Sequence, residues 1–417
     1  MNRKEIIDTA FKVWGRNFYR KTSLSQLAAE LKVSKTALYR HFDNKQALTT
    51  AMTECFFDDF SISICNDFKN AREKDADEGI FTLIQCISGY FVRNVFSLVF
   101  FLMNIYDRNL NKKTITESLI SRNVDMDTFQ TVIEKKYKTE PAVVQLIFAT
   151  MIFFISNFHK TKVFPEQPAS DAEINKMISV INKIIMHGLG YSAENTAIDF
   201  NKLEIKAEET AVKTEPQPFF RAVAEAVAEA GPWDVSMDMV AKKLGLSKSS
   251  LYGHFKNKKD MLRRLFVSEF ERIIEFAKQG IKLSSSTTEQ LYLGLFSIAV
   301  YLRSRPEILI VMGWIRTRKL DFGKPHKKYE IFRLFEDVNI EPVAKVSDDE
   351  KQRISHWMLF LLINILSHSK TGKTRQFPWL CDEINFPQEN SDSENTLNKN
   401  IRLLYKFITL GLGGFIQ

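Results

Sequence analysis

Two stretches of this chain carry the same polar side chains at the same spacing, and together they have the chemistry of a grip on a polyanion. SKTALYRHFDNKQAL begins at Ser34 and SKSSLYGHFKNKKDML at Ser247, 213 residues apart (247 − 34) in a chain of 417. Each opens on a serine and a lysine, Ser34-Lys35 or Ser247-Lys248, then offers small hydroxyls, Thr36 in one and Ser249 and Ser250 in the other. Each continues to an aromatic and an imidazole, Tyr39-Arg40-His41 or Tyr252-Gly253-His254. A lysine reaches phosphate or guanine, a hydroxyl bonds a base or a phosphate, and tyrosine and histidine carry donors at the height of a nucleic-acid backbone. Lys45 and Lys258 follow Asn44 and Asn257, which are placed to cap the next helix. Each lysine thus adds charge where free N–H groups already favour a phosphate oxygen.

For these side chains to face one partner, short helices must hold them. Ser23 and Gln26 form an S-x-x-Q capping box that starts a helix with Leu27, Ala28 and Leu31 inward. Lys32 and Val33 make a turn, and Ser34 caps a second short helix in which Leu38 and Phe42 pack inward. Lys35, Thr36, Tyr39, Arg40 and His41 are then left outside. The second copy repeats this with Met237, Ala241 and Leu244 inside, Gly245 in the turn, Ser247 as cap, and Leu251 and Phe255 packing. Thr22, Ser23 and Ser236, at the start of the first helix of each pair, complete the candidate contacts. The layout is a helix-turn-helix, whose second helix enters the major groove with its N-terminal residues at the base edges.

Repetition at half the chain length makes the motif an architecture of two like domains. Ile6, Ile7, Ala10, Phe11 and Trp14 form a helical face ended by Gly15, and Phe219, Phe220, Val223, Val227 and Ala230 form one ended by Gly231. Each half also closes alike, with HGLG at His187–Gly190 and LGLG at Leu410–Gly413. Apolar residues recur at three- and four-residue steps throughout, an all-α pattern. From Tyr191 to Pro218 the chain turns charged and ends in TEPQP, which reads as a linker with room for a short helix.

Composition sets the outer limits. A formal charge of +8 and a pI near 9.0 suit a polyanionic partner. Cys55, Cys65, Cys86 and Cys381 show no metal or disulfide spacing, and His159, His187, His326, His356 and His368 no H-x-x-x-H pattern. Arg3, Lys4, Glu5 and Asp8 leave no apolar leader, so a cytoplasmic location is expected. The greasy runs Val95–Ile105 and Trp357–Leu366 are too short to span a bilayer and read as buried helices, so no membrane partner is expected. No Gly-rich phosphate loop, nucleophile elbow or paired acidic motif supports catalysis. The aromatic stretch Tyr90–Tyr106 reads as core before it reads as a ligand pocket, and the basic cluster Arg316, Arg318, Lys319, Lys324, Lys327 and Lys328 as a solvated loop before a DNA contact.

The pattern Leu-Tyr-x-His-Phe followed by x-Asn-Lys and a long helix, present as LYRHFDNK and LYGHFKNK, resembles the TetR family of bacterial transcription regulators. The likeness covers about 45 residues in each half and implies two helix-turn-helix domains, 1–48 and 219–262. Behind each it implies a helical regulatory and dimerisation domain, 49–190 and 263–417, separated by the linker 191–218. Lys32 departs from the family, which usually has glycine there, as the second copy does at Gly245. The resemblance further implies a double-stranded DNA operator as partner, a small-molecule effector of unknown identity that lifts repression, and no cofactor. Members of the family pair as dimers; here one chain supplies both units, so Ala142–His159 and Ala172–Leu189 are expected to pack against Gln352–His368 and Asn395–Leu412 as an intrachain pseudodimer. A domain-swapped or four-headed homodimer is the rival arrangement. A helical interaction scaffold that has lost DNA contact is the rival function.

Overall fold

Apolar residues at helical spacing give helix after helix, and the computed structural model holds, among its described residues, no β-structure beyond one bridge between Tyr137 and Ile416. It describes residues 2–16, 22–106, 109–161, 169–192, 194, 197–210, 218–303, 305, 308, 348–367 and 392–416. The basic cluster between Arg316 and Lys328, His326, His368 and Cys381 lie outside the described residues. The chain divides into two units, one running to Ile185 and including Phe415 and Ile416, the other taking up from Met186.

The first unit opens with α1 (Arg3–Arg16), α2 (Leu24–Glu30), α3 (Lys35–Tyr39) and the long α4 (Lys45–Glu73). The apolar face of α1 is buried as its spacing predicts, from Ile6 to Trp14. Gly15 does not end the helix, which runs on to Arg16; a Cβ there would stand 2.7 Å from Cδ1 of Phe96, so the glycine admits a neighbouring ring. The body follows as α5 (Ala76–Arg93), α6 (Val95–Tyr106), α7 (Lys112–Ile120), α8 (Thr128–Glu134), α9 (Pro141–Thr161) and α10 (Asp171–His187). Helix α5 lies along α4, and Phe56 on α4 is the hub of the core between them. The rings of Phe60, Phe91 and Phe101 stack on it at centroid distances of 5.7, 6.4 and 5.4 Å. The span Pro141–His159 is long and apolar enough to cross a membrane by length and composition, with a mean hydropathy of 1.8, and half of it is buried. A core helix meets the same test.

The stretch expected as a linker carries α11 (Phe200–Thr210), which packs on a later helix of the second unit. Phe200, Leu203 and Ala207 share one face at helical spacing, a stripe too short to stand out in so charged a segment. Between Leu203 and Ala207 sits Glu204, only 4 % exposed. It accepts hydrogen bonds from Tyr292, from Arg402 (Nε 2.7 Å, Nη2 2.5 Å) and from Asn398 at 3.1 Å. A carboxylate this deep survives because every side chain around it donates.

The second unit continues with α12 (Pro218–Asp234), α13 (Met237–Leu244), α14 (Lys248–His254), α15 (Lys258–Ile281) and α16 (Thr287–Arg303), then α17 (Asp348–Ser367) and α18 (Asp392–Leu410). Helix α12 overruns Gly231, its expected end, by a turn. The α15–α16 pair corresponds to α4–α5, but Phe56 has Glu269 as its counterpart, again 213 residues on. Glu269 is buried and accepts from Tyr301 Oη at 2.6 Å and from Nη1 of Arg305, itself 1 % exposed, at 3.2 Å. Burial and then the carboxylate push the Tyr301 phenol well above its ordinary range. The two closing motifs meet in this unit: Leu189 N–H donates to Ile408 O at 2.8 Å and Tyr191 N–H to Thr409 O at 3.2 Å. Gly188, at φ +55°, permits the approach, since a Cβ there would lie 2.5 Å from Ile408 O.

Candidate nucleic-acid interface

The local bonds that build each head are the ones the residue types dictate. In the first, Ser23 Oγ accepts from Gln26 N–H at 3.2 Å while Gln26 Oε1 accepts from Ser23 N–H at 3.0 Å, the complete capping box. Ser34 Oγ caps α3 by accepting from Ala37 N–H at 3.2 Å, and Asn44 Oδ1 caps α4 from Ala47 N–H at 2.8 Å. The second head repeats the three caps, Ser236 accepting from Met239 N–H, Ser247 from Ser250 N–H and Asn257 from Asp260 N–H at 3.2, 3.1 and 2.9 Å, but Met239 stands in place of Gln26 and the box is not completed.

The turn is also shared. Val33 N–H reaches back to Ala28 O at 3.0 Å, and Leu246 N–H to Ala241 O at 2.9 Å. Both turns need a left-handed residue, which is Gly245 at φ +66° in one and Lys32 at φ +54° in the other. Lysine therefore occupies a conformation that costs it up to about 1 kcal/mol more than glycine. Leu38 and Leu251 anchor the two reading helices at 1 and 0 % exposure. Phe42 is buried under the Arg3 guanidinium, 4.7 Å from its ring centroid.

With the inner faces fixed, Lys35, Thr36, Tyr39 and Arg40 lie exposed on α3 and its C-cap, and His41 is half-buried beside them. Lys248, Ser249, Ser250, Tyr252 and His254 are exposed on α14. The two tyrosines are alike in exposure, 44 and 46 %. Thr22 differs from the other candidates in being 7 % exposed. The cause lies 23 residues away, where the Lys45 ammonium donates to Thr22 O at 3.0 Å and draws that segment against α4. Lys258 donates to Val235 O in the same way. Both lysines thus tie a head together as well as standing at a helix N-terminus.

One contact has no sequence signal in either copy alone. Lys248 Nζ pairs with Asp238 Oδ2 at 2.9 Å, and the hydrogen bond, then the charge of Asp238, push the ammonium above its usual range. The matching position in the first head is Ser25, and among the described residues Lys35 pairs with no carboxylate; it lies 5.8 Å from the Tyr39 ring. Setting the copies in register would have exposed the difference.

Two exposed reading helices on buried three-helix supports define a helix-turn-helix protein of the DNA-binding type. Residues 6–52 and 220–265 each match the family described as bacterial regulatory proteins, tetR family. The chain thus carries the N-terminal domain of that family twice, once in each half. Among curated proteins it is similar to an uncharacterized HTH-type transcriptional regulator, YuxN, of Bacillus subtilis, 38% identical over 68 residues, 16% of this chain and 23% of that one. It is also similar to a fatty acid metabolism regulator protein of the same organism, 33% identical over 72 residues, 17% of this chain and 37% of that one. The chain thus spans well under half the length of these relatives. A solved structure of the fatty acid degradation regulator FadR from Bacillus halodurans overlaps 45% of this chain and 96% of its own at 14% identity, with a TM-score of 0.32.

Proposed function

We propose that this chain is a sequence-specific DNA-binding transcriptional regulator, a ligand-responsive repressor, in which both heads of one chain bind one operator. The observation that carries the reading is the pair of exposed faces, alike in Lys, Tyr and His and unlike in Thr36-Ala37-Arg40 against Ser249-Ser250-Gly253. A homodimer must read two identical half-sites, whereas fused heads are free to diverge. The operator is therefore an imperfect inverted repeat, and the chain acts in the cytoplasm as an intrachain pseudodimer. Its helical bodies hold a small-molecule effector that alters the separation of the heads.

Binding-site selection on random DNA tests the reading. An inverted repeat with unequal halves is expected; recovery of a strict palindrome, or no enrichment at all, would sink it. Light scattering after size exclusion separates the assemblies, since a 48.3 kDa monomer bound to operator excludes a four-headed homodimer. Steep loss of binding with salt separates a DNA reader from a protein-binding scaffold.

A further inference from the structure

Two glycines of the second unit answer to the protein itself. Gly245 supplies the left-handed turn at φ +66°, and a Cβ on Gly280 would stand 2.0 Å from Ser297 Oγ. Gly253 answers to neither need. It is exposed, its φ is not left-handed, and a Cβ placed on it would meet nothing within 4 Å among the described residues. Nor does it stop the helix, since α14 runs on to His254 and is capped at Phe255. Glycine weakens a helix more than any residue but proline, and nothing inside the head gains from this one.

The first head shows that a side chain fits here. Arg40 holds the matching position, exposed at the C-cap of α3, in a head built on the same serine and asparagine caps. The α14 lysine, Lys248, is tied to Asp238 on α13. Neither Lys248 nor position 253 therefore sends out a free cation, where the first head has Lys35 and Arg40. The major groove is about 12 Å wide and a helix with its side chains roughly 10–12 Å across, so the sides of a reading helix meet the sugar-phosphate strands. Its N-terminal residues face base edges and its later ones pass a strand. A later position without a side chain lets the helix backbone come to the strand itself.

We infer that Gly253 is where the second reading helix lies directly against a DNA strand, and that any side chain there holds this head off its half-site. The first head spans the same gap with the Arg40 guanidinium, so the two heads sit at different depths and their half-sites are not interchangeable. The inference rests on the regulator reading above. Gly253→Ala and Gly253→Leu test it in the full chain, because both residues are better helix formers and carry no charge. The melting temperature of Gly253→Ala should hold or rise. Affinity for the operator recovered by site selection should fall by about tenfold for Gly253→Ala, and further for Gly253→Leu, through overpacking against the strand. Hydroxyl-radical footprints of the variants should lose protection over one half-site and keep it over the other. Unchanged affinity and footprint in both variants would overturn the inference. So would a lower melting temperature for Gly253→Ala, which would mean that the fold itself needs the glycine. A wild-type chain that enriches no sequence sinks the regulator reading and this inference with it, whereas an operator that both variants hold as tightly sinks the inference alone.

Discussion

The two heads differ at many positions and keep the same three helix caps, while between the two bodies one aromatic hub gives way to a buried ionic cluster. In the heads, Ser23, Ser34 and Asn44 do for the first copy what Ser236, Ser247 and Asn257 do for the second, and even the lysine-to-carbonyl ties match. In the bodies, Phe56 stacks with Phe60 and Phe91, whereas Glu269 binds Tyr301 and Arg305. A head answers to an outside partner of fixed geometry, so its supports must stay in place. A body answers first to its own packing, and several interiors satisfy that demand.

The strongest way to break this contrast is to remove the ionic hub. Glu269→Ala removes the buried carboxylate that Tyr301 and Arg305 both address and should destabilise the second unit by about 3–5 kcal/mol. Denaturant unfolding reads the change, and a loss well under 1 kcal/mol would mean that the cluster does not hold α15 to the chain after α16. Next in size, Tyr39→Ala and Tyr252→Ala should each weaken operator binding by about tenfold, the loss of one hydrogen bond to a charged oxygen. Electrophoretic titration distinguishes the heads, since a variant with unchanged affinity marks its head as a scaffold. Lys32→Gly should stabilise the first head by up to about 1 kcal/mol by relieving its left-handed backbone, while Gly245→Ala should cost a similar amount. Opposite signs in thermal melts sharpen the comparison, and equal signs defeat it.

The smallest effect concerns the heads' charges. Asp238→Ser frees the Lys248 ammonium for phosphate and should steepen the dependence of log K on log salt by about one unit. Ser25→Asp in the first head should flatten it by a similar amount. Identical slopes in both variants would show that the Asp238–Lys248 pair gives way at no cost when DNA arrives.

The heads were legible because everything that shapes them is local. A serine three residues before a glutamine, a small residue in a turn and a leucine seven residues after another each act within two helical turns. The buried position of Thr22 escaped that reading because Lys45 imposes it from the start of another helix. Glu204 and Glu269 escaped it more completely. Each looks like an ordinary solvated carboxylate in its own segment, and its partners, Arg402 in one case and Arg305 in the other, stand 198 and 36 residues away. Periodicity shows which face of a helix turns inward but is silent on which charges will be taken inside with it. The aromatic stretch after Tyr90 shows the opposite limit. Phe91, Phe100 and Phe101 are core, as their spacing predicts, and Phe91 and Phe101 also line a small apolar cavity.

Glu204 also decides where this protein can be cut. The second head begins at Pro218, but the compact unit that holds it takes up at Met186 and includes the α11 carboxylate that Tyr292, Asn398 and Arg402 all address. A second half expressed from Pro218 would carry Arg402 with no acid to meet it. One begun at Asp199, whose side chain accepts from Lys202 N–H at 3.1 Å and so starts α11, would carry its own keystone. The repeated motif and the compact unit around it start at different residues.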